Sequence, residues 1–172
     1  MRVFVGLPVP EGLIATCVRA QGLIRGGRIV PVEDLHLTLA FVEDAGDEPL
    51  DMLDDDLRGQ VLPGAAMQVT GLAGFGHPVN AVAFDIAPEP GLAALHGIVA
   101  RALRRAGLVA DAKRFRPHVT LARGKPDVTR LAEAAPVTDT HRATALNLWS
   151  SRLTPRGPVY EVLASYPVGG TT

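Results

Sequence analysis

Two short stretches of this chain combine side chain types that can perform acid–base chemistry. They are His36-Leu37-Thr38-Leu39-Ala40 and His118-Val119-Thr120-Leu121-Ala122, which match at four of five positions and start 82 residues apart (118 minus 36). Because alternate residues of a strand point to the same face, each strand would place its histidine beside its threonine, with apolar side chains behind. The repeat predicts two similar lobes that share one cleft.

The chemistry open to His36 and His118 follows from imidazole, whose pKa lies nearest to neutral pH among side chains. One neutral histidine can accept a proton from an attacking water, while the other, protonated, donates a proton to a leaving oxygen. The hydroxyls of Thr38 and Thr120 can donate hydrogen bonds to phosphate oxygens whose charge grows during the attack. This set suffices for displacement at phosphorus, so we expect neither a metal nor a cofactor.

Other reaction classes lack residues that they require. A zinc hydrolase normally has three protein ligands, and each His-x-Thr strand supplies only one. The single cysteine, Cys17, excludes an internal disulfide and has no marked partner as a nucleophile. The aspartates between residues 47 and 56 are typical of a solvated helix face. A P-loop is not indicated either, since Gly124-Lys125 is followed by Pro126.

The composition is that of a globular protein. In 172 residues, 47% are hydrophobic and 20% are charged, and the formal net charge is −1. A long nucleic acid would find no overall positive field, so a nucleic-acid substrate would have to be bound at an end by a few basic side chains. No uncharged apolar stretch reaches the roughly 18 residues of a membrane span, and we expect a cytoplasmic location.

Hydrophobic periodicity predicts an α+β chain whose second half echoes the first. The predicted strands cover residues 2–7, 28–31, 35–42, 64–75, 79–87, the second motif, 137–149 and 158–166. The predicted helices cover residues 11–24, 49–57 and 91–106, with a short one over 126–134. Gly107 is the expected stop of the third helix. Since no linker separates the halves, we expect one bilobal domain spanning residues 1–172.

The paired motifs resemble the 2H phosphoesterase superfamily, which is named for two His-x-Thr-x motifs. Within it, the chain resembles the bacterial and archaeal RNA 2′,3′-cyclic phosphodiesterases, first described as 2′-5′ RNA ligases. The stretches that carry the resemblance are Val3–Leu7, Val32–Phe41, Phe115–Arg123, Leu148–Leu153 and Gly157–Tyr160. Together they extend over nearly the whole chain.

The resemblance implies a pseudo-twofold fold with two antiparallel sheets and outer helices around a central cleft. It also implies metal-independent hydrolysis of a 2′,3′-cyclic phosphate RNA end to a 2′-phosphate. By analogy, His36 would be the general acid that protonates the leaving 3′ oxygen, and His118 the general base that activates water. Thr38 and Thr120 would bind the phosphate.

Two further residues are expected to contact the substrate. Arg123 matches the arginine that follows the second motif in the family, and Phe115 could stack on the substrate or simply pack. Strand parity places Arg123 on the side of the apolar Leu121, so it reaches the cleft only if the strand bends after Ala122.

The expected partners are RNA 3′ ends or small cyclic nucleotides, without a membrane, and we expect a monomer. Two alternatives stay open at this stage. The same acid–base pair could serve a 2′-5′ RNA ligase or a cyclic nucleotide phosphodiesterase. From another class, the chain could be a non-catalytic module that binds RNA ends or nucleotides.

Overall fold

The computed structural model describes residues 1–127, 129–130 and 137–170. These residues form the helices α1 (Glu11–Gln21), α2 (Asp47–Arg58) and α3 (Pro90–Arg105), and a 3-10 turn at Val32–Asp34. The strands are β1 (Val3–Pro8), β2 (Arg28–Ile29), β3 (His36–Val42), β4 (Ala66–Met67), β5 (Val69–Phe75), β6 (Ala81–Ile86), β7 (His118–Arg123), β8 (His141–Arg142), β9 (Ala145–Thr154) and β10 (Gly157–Pro167). None of the described helices has both the length and the hydropathy of a membrane span.

Eight strands form one antiparallel sheet in the order β10-β9-β1-β3-β7-β6-β5, with β2 also paired to β7. Its two halves meet where β3 and β7 pair through Leu37 and Val119. Strands β4 and β8 form a separate two-stranded sheet. The predicted α+β fold is therefore confirmed, with the refinement that the main sheets of the two lobes are joined edge to edge.

Each lobe contains two strands that are separated in the chain by a helix. They are β1 and β3 around α1 in the first lobe, where β2 and the 3-10 turn also intervene, and β6 and β7 around α3 in the second. In both lobes these two strands pair with each other, and in both the register slips by one residue. The residue left without a partner is Leu39 in β3 and Leu121 in β7, which are equivalent positions of the two motifs. The repeat in the sequence thus extends to a matching β-bulge in each lobe.

Helix α3 shows how local sequence sets these elements. One face of it is buried in the core, through Leu92, Leu95, Val99, Ala102 and Leu103. At its start, the Glu89 side chain accepts a hydrogen bond of 3.0 Å from the Leu92 backbone N–H. At its end, Gly107 has a φ of 74° and the Leu108 N–H donates to the Leu103 carbonyl at 2.9 Å. The predicted stop at Gly107 is confirmed, since few side chains tolerate that φ.

Some predicted boundaries were wrong. The helix expected over 11–24 ends at Gln21, because the chain turns there with short-range hydrogen bonds and Ile24 packs into the core from the turn. The strand expected over 137–149 is β8 followed by β9, which extends to Thr154 through its pairing with β10. The strand expected over 64–75 is divided into β4 and β5. The helix expected over 126–134 lies largely outside the described residues.

Candidate active site

A cleft of about 1030 Å³ lies where the two lobes meet. All six site residues expected from the sequence line it, namely His36, Thr38, Phe115, His118, Thr120 and Arg123. The pairing of β3 with β7 explains why the motifs converge. The registered pair, Leu37 and Val119, consists of the central residue of each His-x-Thr, and both are buried behind the sheet. Their neighbours in each motif therefore face the cleft together.

The His36 ring sits among three aromatic side chains. Its centroid lies 4.7 Å from that of Phe4, 5.3 Å from Trp149 and 5.7 Å from Tyr160, with the tyrosine edge-on. Phe4 and Trp149 are buried and stack on each other at 4.8 Å. We call these three rings the aromatic cage. They come from β1, β9 and β10, so the first lobe supplies the whole cage.

The hydrogen bonds of His36 define its tautomer. Nδ1 lies 2.6 Å from the Asp34 carbonyl oxygen, which can only accept, so Nδ1 carries a proton. Nε2 of the neutral ring then accepts a hydrogen bond from the Thr38 hydroxyl at 3.0 Å. Burial lowers the pKa of His36 to about 4. The Asp34 carbonyl opposes this shift, whereas the charges of Arg123 and His118 lower the pKa further.

His118 repeats the backbone contact in a different environment. Its Nδ1 donates to the Arg116 carbonyl at 2.7 Å, the same residue spacing as in the first motif. The described residues form no hydrogen bond with its Nε2, which leaves this atom available to a ligand. Burial lowers the pKa of His118, and the charges of Arg123 and Arg116 act in the same direction. The Arg116 carbonyl and the Asp85 carboxylate oppose the shift.

The bulge at Leu121 places Arg123 in the cleft. Leu121 and Ala122 are both buried, so the alternation of faces restarts after them and Arg123 returns to the side of the two histidines. The strand bend that Arg123 needs in order to reach the cleft is present, although it occurs at Leu121 and not after Ala122. The buried amide of Gln21 holds it in place by donating to the Leu121 carbonyl at 3.0 Å and the Val30 carbonyl at 2.8 Å.

Phe115 was expected either to stack on the substrate or to pack within the protein, and its position allows both. Its ring packs against the hydrophobic core and also lines the cleft. His96 of α3 stacks on it, with ring centroids 4.2 Å apart and an angle of 10° between the planes. One face of Phe115 is therefore covered by the protein. Arg116, next to it, is engaged by Asp85 through two hydrogen bonds of 3.1 Å.

Sequence reasoning missed most of the aromatic side chains of the site. The chain has only eight Phe, Trp and Tyr residues, and five of them line this cleft: Phe4, Phe41, Phe75, Phe115 and Tyr160. Phe75 contacts His118, with ring centroids 4.5 Å apart. No short sequence pattern marked these residues, because they lie on elements that are far apart in the chain. Arg28, in the two-residue strand β2, was also missed.

The described residues hold no group of three or more His, Cys, Asp or Glu side chains arranged to bind a metal ion. The two motifs instead bring together two imidazoles and two hydroxyls in the cleft, with several guanidinium groups around them. Such a set can exchange protons near neutral pH and can bind an anion through hydrogen bonds.

This fold and this pair of motifs define a family. The sequence model described as the 2'-5' RNA ligase superfamily matches residues 19–153. The chain belongs to this superfamily, and the family and the enzyme class predicted from the sequence are confirmed.

Particular relatives are similar over almost their whole length. A protein of Archaeoglobus fulgidus named RNA 2',3'-cyclic phosphodiesterase is 26% identical, over 95% of this chain and 98% of its own. One of Thermus thermophilus with the same name is 33% identical, over 99% of this chain and 91% of its own. Among solved structures, TT0787 of Thermus thermophilus aligns with a TM-score of 0.81 at 26% identity over 100% of both chains. LigT of E. coli in complex with 3'-AMP has a TM-score of 0.81 at 21% identity, over 98% of each chain, and supports the fold alone.

Proposed function

We propose that this protein hydrolyses 2′,3′-cyclic phosphates at RNA 3′ ends to 2′-phosphates, using His36 and His118 as an acid–base pair. The observation that carries the proposal is the convergence of both His-x-Thr motifs in one cleft, with each Nδ1 anchored to a backbone carbonyl. This anchoring aims both Nε2 atoms away from the backbone. The names of the curated relatives agree with the proposed substrate.

The proposed reaction is an in-line displacement at phosphorus. His118 takes a proton from water as the water oxygen attacks, and His36 donates a proton to the 3′ oxygen as its bond to phosphorus breaks. Thr38 and Thr120 donate hydrogen bonds to the non-bridging oxygens, where negative charge increases in the transition state. The protons balance within the pair, so the step requires no metal. Arg123 adds positive charge next to both histidines.

Substrate binding would prepare His36 for its role as an acid. With a pKa of about 4, His36 is neutral at pH 7 before the substrate binds. An anionic phosphodiester beside the ring favours the imidazolium and raises its pKa. The Thr38 hydroxyl, which donates to the neutral Nε2, can then turn toward a phosphate oxygen. The pKa of His36 is thus raised only in the complex, so the ring stays neutral while the site is empty.

The test measures hydrolysis of adenosine 2′,3′-cyclic monophosphate and of a short RNA with a 2′,3′-cyclic end, with EDTA present. We expect a 2′-phosphate product that is lost in His36→Ala and in His118→Ala, with circular dichroism showing that both variants fold. His77→Ala is the matched control, because this histidine lies in the exposed turn between β5 and β6 and should leave turnover unchanged. Activity that persists in either motif variant, or that EDTA abolishes, contradicts the proposal.

The same assay separates the alternatives. A 2′-5′ RNA ligase would join ends in place of opening the cyclic phosphate, and a cyclic nucleotide phosphodiesterase would act on the mononucleotide alone. Binding without product at every pH between about 5 and 9 would indicate a non-catalytic module, since a histidine pair predicts a bell-shaped profile in that region. The single bilobal domain over 1–172, the monomeric state and the cytoplasmic location stay predictions.

A further inference from the structure

Two arginines face the cleft from directly opposite positions on β2 and β7. Arg28 is the partner of Arg123 in this antiparallel pair, and both side chains line the cleft. Opposite residues of such a pair lie on the same face with Cβ atoms about 5 Å apart, where like charges destabilise the sheet. None of the described acidic side chains forms a salt bridge with either arginine. An anion bound between the two guanidinium groups would relieve the repulsion.

At the opposite end of the cleft, two of the cations are held in ion pairs. Because β3 and β7 are antiparallel, their C-terminal ends lie at opposite ends of the cleft. Near the end of β3 the ion pairs are Arg2 with Glu43 at 2.8 Å and Lys113 with Asp111 at 3.3 Å. Near the end of β7, the described residues provide no such counterpart for Arg28 and Arg123. Two guanidinium groups without an ion pair to a described residue therefore lie opposite each other at this end of the cleft, which we call the Arg28 end.

Arg28 lies further from the reacting groups than Arg123 does. The charge of Arg123 acts on both His36 and His118. The guanidinium of Arg28 instead extends to the hairpin between β9 and β10, since a Cβ placed on Gly157 would lie 3.6 Å from its Cζ and Nε. Arg28 therefore reaches from the second lobe to the first at the Arg28 end, one step beyond the acid–base pair.

We propose that Arg28, opposite Arg123, binds the phosphodiester that joins the terminal nucleotide of the substrate to the nucleotide before it. This inference rests on the proposed function and narrows its substrate class to the end of an oligoribonucleotide. A guanidinium presents paired N–H donors to phosphate oxygens and keeps its charge at every working pH. A cyclic mononucleotide has no second phosphate to place there, so it cannot use this contact.

The test compares kcat/KM for adenosine 2′,3′-cyclic monophosphate with kcat/KM for the dinucleotide ApA that ends in a 2′,3′-cyclic phosphate. We expect the dinucleotide to mononucleotide ratio to fall about tenfold in Arg28→Gln, which corresponds to about 1.4 kcal/mol for one charge-assisted contact. Arg114→Gln is the matched control. It removes another exposed arginine that lines the cleft without a salt bridge to a described residue, and the ratio should stay close to the wild-type value.

An unchanged ratio in Arg28→Gln, or an equal fall in Arg114→Gln, would overturn the inference.

If the wild-type enzyme hydrolyses neither compound, the proposed function fails. The inference is then tested by calorimetry, which compares the binding of adenosine 2′-phosphate with that of ApA carrying a 2′-phosphate. Arg28→Gln should weaken binding of the dinucleotide about tenfold more than that of the mononucleotide, and equal weakening would refute it. Because Arg28→Gln removes the repulsion between Arg28 and Arg123, its melting temperature should be equal to or above that of the wild type.

Discussion

Truncating Tyr160 should raise the pKa of His36, because Tyr160 is the outermost ring of the aromatic cage. The other two rings, Phe4 and Trp149, are buried, while Tyr160 is half-buried and meets the His36 ring edge-on at 5.7 Å. Burial is the largest cause of the low pKa of His36. Removing the phenol ring in Tyr160→Ala admits water to one side of the imidazole and stabilises its charged form.

The size of the effect follows from how far the pKa of His36 lies below that of an ordinary histidine. The pKa of about 4 lies some 2.5 units below the usual value of about 6.5. Because Tyr160 is one ring of three and lies nearest to solvent, its loss should recover about one unit, which is about 1.4 kcal/mol of differential solvation. Tyr160→Phe keeps the ring and removes only the hydroxyl, so the pKa of His36 should not change in this control.

The assay is an NMR titration of the histidine Hε1 signals between about pH 3 and pH 8. The chain has five histidines, and the His36 signal is identified by its absence in His36→Gln. A wild-type pKa of His36 at or above 6.5, or a pKa that is the same in Tyr160→Ala, would refute burial by the cage as the cause.

Two further predictions concern stability. The folded-state pKa of His36 lies below that of an ordinary histidine, so unfolding takes up a proton between pH 6.5 and about 4. The contribution of His36 to the free energy of unfolding is therefore complete above this window and is lost as the pH falls through it. Urea titrations should show the wild type losing about 3 kcal/mol more than His36→Gln between about pH 7 and pH 4, and parallel losses would contradict the assignment. Gly6→Ala should cost about 1–3 kcal/mol in urea unfolding and lower activity, because its Cβ would collide with the Leu37 carbonyl behind the first motif. Gly71→Ala, whose Cβ would meet nothing within 4 Å, is the control strand glycine, and equal costs would argue against the close approach.

The parts of the site that follow from local sequence could be predicted. Each motif alternates polar and apolar residues, so the strands β3 and β7 and the cleft-facing sides of His36 and His118 follow from the period of a strand alone. The repeat over half the chain length also indicated that the two strands belong to equivalent places in two lobes. The first expectation depends only on residues within a few positions of each other, and the second on the comparison of two such short stretches.

The rest of the site depends on partners that are distant in the chain. Tyr160 reaches His36 because β10 pairs with β9 and β9 with β1, a register that no short pattern encodes. Strand parity placed Arg123 on the wrong side, because a bulge is a property of two paired strands and not of one. Arg28 lies in a strand of two residues, too short for any periodicity to appear.

The two lobes repeat the same motif and yet give its histidines different surroundings. His36 is enclosed by three rings and accepts a hydrogen bond from Thr38, so its neutral form is strongly favoured. Among the described residues His118 contacts the ring of Phe75 and keeps its Nε2 open to the cleft. Burial lowers its pKa too, although the Asp85 carboxylate opposes this shift. In the free protein the two surroundings therefore differ in the sense opposite to the proposed roles, and His36 can act as the acid only because a bound phosphate raises its pKa. Because the motifs themselves are almost identical, this difference must come from the neighbouring strands, and it is there that the pseudo-twofold symmetry of the protein ends.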